Sequence, residues 1–217
     1  MEKRVLEVLK GAPYFTKQNI GLALQKDGED LNYWIKKLRA QKMLITLKKG
    51  MYISSYYQDM ISQNPSDKEL YLMYLANVLR SPSYVSLEFI LSRYNIIPEA
   101  SFAVTSITTK SSRVFSSAFS SFIYRSIKEE LFFGYENQSF KDKTIRVASK
   151  GKALFDFLYL KNFKTTGIMK RYLLEEGRIN WDIFEEKDTI DFMRAVASAS
   201  SKKMQLITEQ LKKEHLL

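Results

Sequence analysis

The chain has 217 residues, 45% of them hydrophobic, with no cysteine, a single histidine and a formal net charge of +10. Disulfides, thiolate metal sites and cysteine nucleophiles are excluded, and His215 alone, near the C-terminus, leaves histidine-based metal or triad chemistry without its parts. Such a length suits one large domain or two small ones with an ample core.

The charge is unevenly spread. Residues 1–53 carry eleven Lys and Arg against five acids, leaving 23 against 19 for the remainder. A cationic excess gathered at one end is the electrostatic footprint of a phosphate-binding module. The longest apolar runs, residues 70–79 and 153–160, are too short to span a bilayer, and the first ten residues carry acids and no long apolar segment. A cytoplasmic protein with no membrane partner and no cofactor is expected.

In chain order, residues 2–10 predict a first helix with Val5, Leu6 and Leu9 inward, ended by Gly11, Ala12 and Pro13. Thr16 is expected to cap a second helix. Lys17 and Gln18 in its first turn are placed to meet a phosphate, where free amides and the helix dipole favour an anion. After a turn around Gly28, residues 31–41 predict a third helix with Asp30 as its N-cap. Leu31, Trp34, Ile35 and Leu38 share one side; Asn32, Tyr33, Lys36, Lys37 and Ala40 share the other. Residues 44–47 and 51–53 read as two short strands joined by Lys48, Lys49 and Gly50, with both lysines at the hairpin tip. Helix, turn, helix and hairpin in this order predict a winged helix-turn-helix over residues 1–61. Asn32 and Tyr33 are the expected base readers, Lys36 and Lys37 the phosphate contacts. Lys48 and Lys49 would reach the backbone or minor groove.

Residues 62–68, polar with a central proline, are expected to be a linker to an α+β domain over 69–217. A helix is predicted over 69–80, then a second one over 87–94 capped by Ser86, with Asn95 in the left-handed position that follows it. Residues 102–109, 122–127, 131–135 and 144–148 alternate or run β-branched and aromatic, predicting an antiparallel sheet. Residues 151–160, 165–176 and 188–213 are helical, the last with Ile190, Met193, Ala197, Met204, Ile207 and Leu211 inward. Asp156, inside the apolar run ALFDFLYL, is expected to be hydrogen-bonded structurally, since an unpaired buried carboxylate is costly. Lys110, Arg113 and Arg125 are candidates for a second cationic surface facing a protein or nucleic acid. Glu185, Glu186 and Lys187 near Asp182 superficially resemble the acidic pair and lysine of a metal-dependent nuclease, but such runs more often mark a solvated helix start.

Several short signatures then recur in order: Tyr84-Val85-Ser86-Leu87-Glu88 with Leu91, Tyr94 and Pro98-Glu99; Thr105 with Thr108-Thr109-Lys110 and Arg113; Phe122-Ile123-Tyr124 with Ile127; Phe133-Gly134; and Lys152-Ala153-Leu154-Phe155-Asp156 with Leu158-Tyr159. Across residues 1–160 the chain resembles the AbiEi-type antitoxins, transcriptional regulators of abortive-infection toxin-antitoxin systems. It departs from them at Tyr94-Asn95, where Tyr-Gly is usual, and at Lys150-Gly151, where Pro-Glu is usual. The resemblance implies a bacterial autorepressor, not an enzyme. It would bind double-stranded DNA at its own promoter and counteract a cognate nucleotidyltransferase-like toxin. The alternatives are a plain winged-helix regulator with a ligand-sensing or dimerisation domain and a metal-dependent nuclease.

Overall fold

The computed structural model describes residue 7 and residues 9–216. They form a mixed α+β fold with two β-sheets. By compactness the chain divides into two units, residues 1–72 with 115–121 and residues 73–114 with 122–217. No helix among the described residues is long and apolar enough to cross a membrane.

Residues 9–11 are helical and Leu9 is buried, whereas Val5 and Leu6 of the expected first helix lie outside the described residues. The first unit continues with β1 (Phe15–Thr16), α1 (Lys17–Leu24), α2 (Gly28–Ala40), β2 (Leu44–Lys48), β3 (Met51–Ser54) and α3 (Ser55–Ser62). The strands form a three-stranded sheet, β1-β3-β2, with β3 antiparallel to both neighbours (Phe15↔Tyr52, Ile45↔Ile53). One apolar cluster joins the elements: Leu9, Phe15, Ile20, Leu31, Ile35, Leu38, Leu44 and Tyr52. Helices α1 and α2 approach closely because residue 21 is glycine. A Cβ there would lie 2.9 Å from the Lys26 carbonyl oxygen and 3.1 Å from Leu31 Cδ2. Gln25 closes α1 in a left-handed conformation (φ +54°), and the Lys26 amide donates to the Gly21 carbonyl at 3.0 Å.

Residues 62–68 are not an extended linker. They end α3 and begin α4 (Pro65–Leu79), and the division between the units falls inside that helix. Asn64 Oδ1 accepts from the Ser66 amide at 2.9 Å, and Pro65 takes the first helical position, where a missing N–H costs nothing.

The second unit is built on a six-stranded sheet of order β6-β7-β5-β4-β9-β8. Its strands are β4 (Ser83–Val85), β5 (Ala103–Thr108), β6 (Arg113–Ser116), β7 (Ser121–Ser126), β8 (Tyr135–Phe140) and β9 (Lys143–Ala148). The expected purely antiparallel sheet is corrected: β4 is antiparallel to β5 but parallel to β9 (Val85↔Val147), the long excursion between them supplying the crossover a parallel pair needs. Residues 131–134 of the expected strand are not strand, and β8 starts only at Tyr135. A 3-10 turn, Glu129–Leu131, and Gly134 at φ +75° redirect the chain into β8. Nor does Ser86 cap the helix that follows it, α5 (Glu88–Arg93): its hydroxyl donates elsewhere, Leu87 at φ +62° precedes the helix, and the Phe89 amide donates to Thr105 Oγ1 at 3.0 Å. Asn95 is left-handed (φ +55°), as expected.

Helices α6 (Lys150–Leu160), α7 (Thr166–Arg171), α8 (Glu186–Ala199) and α9 (Lys202–Lys213) complete the unit. The single long helix expected over 188–213 is broken at Ser200 (φ +46°), after which the Ser201 hydroxyl accepts from the Met204 amide and starts α9. The break changes the inward face. Phe192, Ala195, Val196 and Ala199 of α8 are buried, whereas Ile190 and Ala197 are exposed; Met204, Ile207 and Leu211 of α9 are buried as expected. Gly151 lets α6 and α8 meet backbone to backbone, since a Cβ there would lie 2.0 Å from the Asp188 carbonyl oxygen.

Candidate nucleic-acid interface

Helix α2 separates its residues as its periodicity predicts. Leu31, Ile35 and Leu38 are buried, Trp34 is half-buried, and Asn32, Tyr33, Lys36, Lys37 and Ala40 are exposed. The helix starts earlier than expected. Asp27 is the N-cap residue, making no side-chain cap bond, and the Leu31 amide closes the first turn onto the Asp27 carbonyl at 2.9 Å. Asp30 therefore sits within the first turn, where its charge suits the dipole, and pairs with Lys26 instead of capping.

The exposed flank is not uniform. Lys37 folds its ammonium over the Trp34 ring at 4.7 Å, and Lys26 covers the same ring at 5.7 Å. An exposed cation–π contact holds a lysine by about 0.5–1 kcal/mol, so Lys37 can leave Trp34 for a phosphate at small cost. Tyr33 stands edge-on to Trp34 with ring centroids 6.4 Å apart, and it is 59% exposed. Lys36 lies away from this aromatic group and lines an open groove of about 850 Å³ with Arg39 and Lys42. Thr46 of β2 and Asp59 of α3 lie in the same lining. Arg39 and Lys42 are absent from the sequence-derived set because a wheel drawn for one helix does not show a wall supplied by β2 and α3.

At the start of α1, the expectation of free amides is corrected. Thr16 caps the helix reciprocally: the Asn19 amide donates to its hydroxyl oxygen at 3.1 Å, and the Thr16 amide donates to Asn19 Oδ1 at 2.9 Å. The Lys17 amide donates to the Gly50 carbonyl at 2.9 Å. Lys17 and Gln18 nonetheless expose their side chains. The hairpin tip also differs from expectation. Gly50 turns at φ +78° and Lys49 is exposed beside it, but Lys48 ends β2, half-buried, with its ammonium 5.6 Å from the Phe115 ring centroid. Of the two tip lysines, only Lys49 points its charge away from a protein ring.

In the second unit, Lys110, Arg113 and Arg125 do not converge. Lys110 donates to the Ser81 carbonyl at 2.6 Å, and Arg113 is an exposed residue of β6. Arg125 of β7 lines a depression of about 390 Å³ with Glu88, Glu99 and the 94%-exposed Phe102. Asp156 is fully buried and satisfied: it pairs with Lys152 and accepts from Ser86 Oγ at 2.8 Å and Tyr84 Oη at 3.0 Å. Burial pushes its carboxyl above the ordinary range against the pull of Lys152, and burial together with Asp156 pushes the Tyr84 phenol well up. The Lys152 ammonium is boxed by the rings of Phe155 (4.9 Å), Tyr84 and Phe133 (5.5 Å each).

Near the start of α8, the Glu185 amide donates to Asp188 Oδ2 at 3.1 Å in a reciprocal cap, Lys150 pairs with Asp188 at 2.7 Å, and Lys187 pairs with Glu136 at 2.7 Å. No cluster of His, Asp or Glu suited to a metal ion occurs among the described residues. No family model matches the chain, and no curated protein matches it.

Proposed function

We propose that the first unit is a winged helix-turn-helix that binds double-stranded DNA upstream of the protein's own gene, and that the protein is a transcriptional autorepressor and antitoxin. One observation carries the DNA reading. Helix α2 buries Leu31, Ile35 and Leu38 while presenting Asn32, Tyr33 and Lys36, and it is followed by a hairpin with Lys49 at its tip. In this role α2 enters the major groove, Asn32 and Tyr33 meet base edges, Lys36, Lys37 and Lys17 meet phosphates, and the hairpin is the wing. The antitoxin half is supported by the serial signatures that resemble AbiEi-type antitoxins. They imply that the second unit counteracts a nucleotidyltransferase-like toxin.

Fluorescence anisotropy of the full chain on its upstream DNA and on a shuffled duplex tests the first half. A preference of roughly a thousandfold or more is expected of a specific reader; equal weak binding to both would remove it. Co-expression with a toxic neighbouring gene tests the second half. Rescue that survives Lys36→Ala with Lys37→Ala places antitoxicity outside the DNA surface, and loss of rescue together with DNA binding refutes that division. A second reading, a regulator whose second unit senses a ligand, is favoured by the depression holding Phe102, Glu88 and Arg125, of a volume that suits a small molecule.

A further inference from the structure

We infer that the groove between α2, β2 and α3 receives one sugar-phosphate strand of duplex DNA, with Lys36, Arg39 and Lys42 contacting successive phosphates; this rests on the DNA reading above. Three observations converge. The three cations line one groove, all are exposed, and none forms an ion pair among the described residues, so their charge is available to a ligand. Among the described residues, Asp59 is the only carboxylate in the lining, which leaves the groove cationic. Ser55 and Gln58 add polar side chains to the lining, donors of the kind that phosphate oxygens accept from.

The occupant follows from continuity. Lys36 belongs both to the exposed flank of α2 and to the groove, so a duplex whose major groove holds Asn32 and Tyr33 carries a backbone past Lys36. Arg39 follows Lys36 one helical turn later, and residues three apart on a helix are neighbours. Lys42 continues the row just beyond the helix, where its left-handed backbone (φ +56°) turns the chain toward β2. The apolar part of the lining, Ala40, Leu44 and Ile45, offers contact to sugars and no base-reading group. The groove therefore supplies affinity and register, and sequence preference resides in Asn32 and Tyr33.

The test is anisotropy of the full-length chain on upstream and shuffled duplexes over a range of salt. Arg39→Gln and Lys42→Gln are each expected to lower the slope of log affinity against log salt by about one and to weaken both duplexes alike. Asp59→Asn is expected to tighten both about threefold by removing a surface repulsion, a gain that misfolding cannot imitate. Wild-type binding with unchanged slopes in both glutamine variants and no gain from Asp59→Asn overturns the inference while the DNA reading stands. Losses confined to the upstream duplex overturn it in favour of base reading. If the variants lose binding to polyglutamate but not to DNA, an acidic protein partner fills the groove and the inference fails. No binding of the wild type to any duplex removes the DNA reading itself.

Discussion

Two Lys–Asp pairs with the same four-residue spacing do different work in the two units. Lys26 and Asp30 pair at the surface beside α2, with side chains 20% and 57% exposed; Lys152 and Asp156 pair inside α6 at 1% and 0%. In water the first pair is screened and replaceable. In the second, both ions have lost their solvent, and only their mutual attraction, two hydroxyl donors and a box of aromatic rings make up the loss. The same local pattern thus holds together a core in one place and adjusts a surface in the other, and burial decides which.

The sharpest way to break this contrast is Asp156→Ala, which strands the Lys152 ammonium in the core. A loss of about 3–5 kcal/mol is expected in urea unfolding. The double change Lys152→Met with Asp156→Leu is expected to return most of it; if the single change costs under about 1 kcal/mol, the pair is not buried as described. Next, Gly151→Ala forces a Cβ onto the Asp188 carbonyl and should cost about 1–3 kcal/mol by the same measurement, with α6 and α8 pushed apart. Thr16→Ala removes a reciprocal cap from α1 and is expected to cost about 1 kcal/mol. Smallest is Asp30→Ala, at about 0.5 kcal/mol, an effect that shrinks further in high salt. Salt-independence of that last value would erase the distinction between the two pairs.

Sequence alone made α2 legible because one side of it is apolar at helical spacing and the other is polar, and Leu31, Ile35 and Leu38 are buried accordingly. Asp156 was legible for a related reason, since a carboxylate within an apolar run must find donors. Other features were hidden by physics that a single window does not contain. Strands β6 and β8 are exposed edge strands whose polar residues show no alternation. The Asn64-Pro65 pair suggests a linker by composition but is a helix start by mechanism, a cap residue followed by a proline at the first position. The break at Ser200 has neither glycine nor proline to announce it. Within the candidate interface, the contact of Lys48 with the Phe115 ring is not legible in the sequence because the two residues are far apart along the chain. Arg39 and Lys42 are not legible as part of one cationic groove, because that groove exists only once β2 and α3 are in place.

The hydrogen bond from the Lys17 amide to the Gly50 carbonyl ties the hairpin tip to the opening turn of α1. The tip cannot swing outward without releasing that proton to solvent. Lys17 therefore carries a built-in reporter of hairpin motion: its amide hydrogen should exchange in proportion to the time the tip spends open, and clamping the tip by a bound partner should slow that exchange.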